Sequence, residues 1–96
     1  MYHSKLTLIH PETNIIAICE IKVWKISDPK SYPNNIKYSL FCVEVPKKNI
    51  LVGFDNHFPK SPHKHINDLE IPYNFINTDK LIDDFWEEVQ SRGFIL

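Results

Sequence analysis

Apolar and polar residues alternate with a period of two along residues 15–26. Ile15, Ala17, Cys19, Ile21 and Val23 fall on one side, and Ile16, Ile18, Glu20, Lys22 and Trp24 on the other. Such a pattern predicts a long strand with one covered face. A shorter strand is predicted over residues 5–10, joined to the long one by the turn residues Pro11-Glu12-Thr13-Asn14. After a loop over residues 27–35, with Asp28-Pro29 and Tyr32-Pro33-Asn34-Asn35 as its turn signals, the segment Ile36–Val45 is rich in β-branched and aromatic residues and reads as a third strand. Pro46-Lys47-Lys48-Asn49 connects it tightly to a fourth, residues 50–54. Connections this short make the neighbouring strands antiparallel. Residues 73–76 are expected to form a short return strand.

The period changes near the C-terminus. Leu81, Ile82, Phe85, Trp86 and Val89 recur at spacings of three and four, which predicts a helix with one apolar stripe. Thr78 or Asp79 is placed to cap it and Gly93 to end it. The expected architecture is α+β: an antiparallel meander of about four to five strands with one C-terminal helix packed on its apolar face, in a single domain covering residues 1–96. The seven prolines fall between or at the edges of these elements.

Composition adds little to this picture: 43% apolar and 24% charged residues suit a soluble globular chain. No apolar run approaches the ~20 residues of a membrane helix, and the first ten residues lack the apolar core of a signal peptide. Cytoplasmic residence without membrane association is expected. Cys19 and Cys42 should then be reduced thiols buried in strands. A net charge of −1 argues against a general polyanion binder. The charge is uneven, however: Asp79, Asp83, Asp84, Glu87 and Glu88 make the helix acidic, which reads either as a solvated face or as a landing site for a basic partner. Lys60 and Lys64 instead lie among histidines.

That second cluster sits in residues 54–73, which hold His57, His63 and His65, with Pro59 and Pro62 fixing the path of an expected loop. If the chain is extended there, His63 and His65 point to the same side about 6.5 Å apart. Lys64 then points to the other. The residues alone leave three readings open. In the first, the histidines are solvated or hold the loop by hydrogen bonds to its backbone. As an acid/base pair they would flank a phosphodiester, one imidazole removing a ribose 2′-hydroxyl proton and the other protonating the leaving oxygen, without a metal. Lys60 and Lys64 would then bind phosphate, Tyr73 would touch substrate, and Asp55 or Glu70 would orient a ring. As metal ligands, His63 and His65 would converge on a divalent transition ion, with His57 and Asp55 completing the site. Asp55 and Asn56 also suit a turn in which their side chains satisfy the backbone.

The run Phe54-Asp55-Asn56-His57, Lys60, His63-Lys64-His65, Glu70-x-Pro72-Tyr73-x-Phe75 and Leu81-Ile82-x-Asp84-Phe85-Trp86-x-x-Val89 resembles the TumE family of small toxins. It departs from that pattern at Ser61-Pro62, where glycine and often aspartate are usual, and at Ile71, which separates Glu70 from Pro72. The resemblance implies a toxin of a toxin–antitoxin pair, neutralised by a helix-turn-helix antitoxin of the TumA type. Joined to the chemistry of the histidines, it leads to an expected metal-independent endoribonuclease acting on RNA, with catalytic His57, His63 and His65 and an oligomer as one possible assembly. The alternatives are a non-catalytic module that blocks a cellular target, and a metal-dependent hydrolase using the same histidines.

Overall fold

The computed structural model describes residues 2–32, 34–67 and 69–95. Its strands are β1 (Tyr2–Ile9), β2 (Ile16–Lys25), β3 (Ile36–Val45), β4 (Asn49–Asp55), β5 (His63–Ile66) and β6 (Leu69–Pro72), followed by helix α1 (Thr78–Gln90). They form one six-stranded sheet in sequence order, every neighbouring pair antiparallel. The expected meander and C-terminal helix are present. The strand count is six rather than four to five.

The difference lies within residues 54–73. Residues 63–66, expected to be loop, extend the sheet as β5, and the return strand is Leu69–Pro72 rather than residues 73–76. A run with few β-branched residues becomes a strand here because β4 offers it a free edge, where ladder hydrogen bonds outweigh local propensity. Asparagines take up left-handed backbone at the turns, Asn14 at φ 60°, Asn35 at φ 56° and Asn67 at φ 55°, a region their short polar side chains tolerate.

The alternation along β2 sorts its side chains as the sequence predicts, with Ala17, Cys19, Ile21 and Val23 buried; Ile15 lies outside the strand and is exposed. Tyr38, Leu40, Cys42, Val52 and Phe54 extend the same buried layer across β3 and β4. Cys19 and Cys42 are direct cross-strand neighbours, both free and buried. α1 covers this layer with Leu81, Phe85 and Val89, each fully buried, and Phe85 meets Phe54 edge-on at 6.1 Å.

The cap of α1 is Asn77, whose side-chain oxygen accepts the Lys80 amide at 2.8 Å, rather than Thr78 or Asp79. An extended backbone at Asn77, φ −158°, is the geometry this capping bond requires. Past the helix, Gly93 turns at φ 93° beneath the His10 ring, and Phe94 is buried against that ring, with centroids 5.5 Å apart. Among the described residues no helix is long and apolar enough to cross a membrane.

Candidate active site

β4 and β5 build the site by register. Asp55 lies opposite His63 and Gly53 opposite His65, so the period of two puts Asp55, His63 and His65 on the sheet face away from α1. The two imidazoles meet edge-on with centroids 4.8 Å apart. His63 is 5% exposed. Its Nδ1 lies 2.8 Å from the Ser61 carbonyl. A carbonyl can only accept, so Nδ1 carries the proton and, in the neutral ring, Nε2 keeps its lone pair. The main-chain carbonyl of Ser61 thus sets the His63 tautomer, while the Pro62 carbonyl accepts the Tyr73 amide at 3.0 Å.

Side chains leaving β4 fix the approach. Asp55 Oδ1 accepts the His57 amide at 2.7 Å. Asn56 clasps β3 at both its polar atoms, accepting the Tyr38 amide and donating to the Ile36 carbonyl, each at 2.8 Å. These are the turn roles their residue types predict. A cleft of about 270 Å³ opens beside His63, lined by Lys60, Ser61, Pro62, Glu70 and Pro72. Lys60 donates to both oxygens of Glu70, at 3.0 and 3.2 Å, and its ammonium holds the Glu70 carboxyl below the usual carboxylate range. Glu70 Oε1 stands 4.0 Å from His63 Nε2.

Three of the candidate residues lie apart from this group. The exposed His57 joins it through its backbone amide alone. Lys64 points through the sheet to the helix side, as strict alternation requires, and pairs with Glu88 at 2.9 Å. Tyr73 is also on that side, edge-on to Phe54 at 4.9 Å. Its hydroxyl donates to Asp84 at 2.6 Å, and burial together with that carboxylate pushes the phenol well above its ordinary value.

A model of the Toxin TumE family matches residues 5–93. The chain belongs to the TumE toxin family. The TumE match takes in most of β1 and all the other elements, whereas the motif run begins only in β4. Comparisons with curated proteins and with solved structures gave no match.

Asp55, His63 and His65 each offer one ligand atom, all within 4.8 Å of one another. Two imidazoles and a carboxylate fit a divalent transition ion; of the two residues expected to complete such a site, Asp55 joins the histidines and His57 does not. Metal bonds of about 2.0–2.2 Å limit ligand atoms to about 4.4 Å apart, so an ion would draw the three slightly inward. Sequence reasoning missed Phe41, which lies opposite Gly53. The signal was the glycine itself, since a glycine inside a strand marks a close approach.

Proposed function

We propose that this toxin cleaves RNA, with His63 and His65 as the acid/base pair. One imidazole removes the 2′-hydroxyl proton so that its oxygen attacks phosphorus, and the other protonates the departing 5′-oxygen. Both protonation states of histidine are populated near neutral pH. Asp55 orients the pair and stabilises an imidazolium. Glu70 does the same for His63 Nε2, and Lys60, swinging from Glu70, offsets charge building on the phosphoryl oxygens. The observation that carries the reading is the meeting of two imidazoles 4.8 Å apart, one of which, His63, lines an open cleft.

A second reading has one specific observation in its favour, the Asp55–His63–His65 ligand set. There an ion would activate water or polarise the phosphate. Total RNA incubated with pure toxin, before and after exhaustive chelation, separates the readings. Fragmentation that persists after chelation is expected for the acid/base pair. Fragmentation lost on chelation and restored by zinc or manganese supports the metal, and RNA left intact in every lane rules out both.

The family implies an antitoxin. We assign its landing face to α1, where Asp79, Asp83 and Glu87 are exposed, and its type to a basic helix-turn-helix protein. Docking through the C-terminal tail is less favourable, because Phe94 is already buried; Ile95 is exposed, and Leu96 lies outside the described residues. Asp83→Lys with Glu87→Lys is expected to weaken the toxin–antitoxin complex at least tenfold, read by titration calorimetry. Unchanged affinity would remove α1 from the interface.

A further inference from the structure

The sheet face that carries Asp55, His63 and His65 continues across β3 and β2 as an open surface. Its residues follow from the register: Lys37, Ser39 and Phe41 on β3, and Glu20, Lys22 and Trp24 on β2. They are the alternates of the buried Tyr38, Leu40 and Cys42, and of Cys19, Ile21 and Val23, so they face away from α1.

Within this surface Phe41 is held in an unusual way. A Cβ added at Gly53 would lie 2.5 Å from Phe41 Cε1 and 2.8 Å from Cδ1. The ring thus lies directly against the bare backbone of β4, in space that any other residue would fill. Phe41 is partly exposed. The His65 ring stands beside it, centroids 6.2 Å apart and planes 30° from parallel. The acid nearest in register, Glu20, is already paired, with His3 at 2.8 Å and Lys22 at 3.6 Å. Further along the face Lys37 lies 5.6 Å above the Trp24 ring. Aromatic faces interleaved with cations on an open sheet are the elements by which proteins bind single-stranded RNA, bases stacking on rings and cations following the backbone.

We propose that Phe41, laid across Gly53, is a stacking platform for a nucleobase, and that it positions single-stranded RNA so that the adjoining phosphodiester meets His65 and His63. The inference rests on the RNA-cleaving reading and names the form of its substrate: an unpaired strand whose bases can be splayed out. Phe41 is a positioning residue; the strand continues toward Trp24 and Lys37.

The test uses the intact toxin and a short 2′-O-methyl oligoribonucleotide, which binds but has no free 2′-hydroxyl to react. Phe41→Leu removes the π-face and keeps an apolar side chain. It is expected to weaken binding by about 5- to 100-fold, while Phe41→Tyr and Phe41→Trp bind as the parent does. Gly53→Ala, which lifts the ring without removing it, is expected to weaken binding as well. Equal affinity of Phe41→Leu and parent overturns the platform, and so does equal weakening by leucine and tyrosine. Because the leucine variant can lose stability, the parent protein supplies a second readout. Photocrosslinking with a 5-bromouridine oligonucleotide is expected to label the peptide holding Phe41, and labelling confined to α1 overturns the proposal. The two readings fail separately: a Phe41 effect on binding with RNA left intact by the parent would sink cleavage and keep the platform, and cleavage with no Phe41 effect would do the reverse.

Discussion

Substituting His63 by alanine is expected to lower RNA cleavage by roughly 10²–10⁴-fold, the range for removal of a positioned general acid or base. The loss should appear in cells as survival when the toxin is expressed without antitoxin. His63 is 5% exposed and bonded to the Ser61 carbonyl, so truncation also leaves a void and an unpaired acceptor. His63→Gln keeps much of the volume and an amide that can donate to Ser61, but it has no proton to exchange near neutral pH. It should fold as the parent does and be as inactive as the alanine variant. His57→Ala provides the contrast: its side chain is exposed and stands outside the cluster, so cleavage should be unchanged. Toxicity that survives both His63 substitutions would remove the proposed chemistry, whatever the fate of His57.

The contrast between His57 and His63 also marks how far the sequence could be read. The period-two run of β2 and the three-and-four spacing of α1 reach the structure intact, because each has one face that must be buried, and slipping by one residue would expose it. Residues 63–66 offered no such constraint. His63-Lys64-His65-Ile66 has no apolar alternation, so only the edge of β4 turns it into a strand. Once it is a strand, geometry sorts its side chains: His63 and His65 go to one face and Lys64 to the other. Composition alone placed both lysines and all three histidines in one cationic patch. The structure divides that patch across two faces of the sheet. The metal alternative changes for the same reason. Cross-strand register brings Asp55 opposite His63, so of the two residues expected to complete the ligand set Asp55 joins it, whereas His57 lies past the end of β4.

Phe85→Ala is expected to have the largest effect on stability, and its comparison with His63→Gln tests whether fold and chemistry occupy opposite faces of the sheet. Phe85 is fully buried at the centre of the α1 stripe, edge-on to Phe54 at 6.1 Å and to Trp86 at 5.0 Å. Removing such a ring costs about 3–5 kcal/mol, from lost burial and from the cavity left behind. A domain of this size has roughly 5–15 kcal/mol in total, so a large share of the stability should go. Urea unfolding should show a lower midpoint at unchanged slope, and the melting temperature should fall by at least roughly 12 °C. Phe54 precedes Asp55 in β4, yet the two side chains point to opposite faces. The cavity should therefore open beneath the sheet and leave Asp55, His63 and His65 in register above it. At a temperature where the variant is still folded, its cleavage per folded molecule should match that of the parent. His63→Gln should show the converse, parental unfolding with cleavage lost. A Phe85→Ala protein that is folded by near-ultraviolet dichroism but inactive would show that the site depends on packing from the helix side. The two-face division would then be wrong.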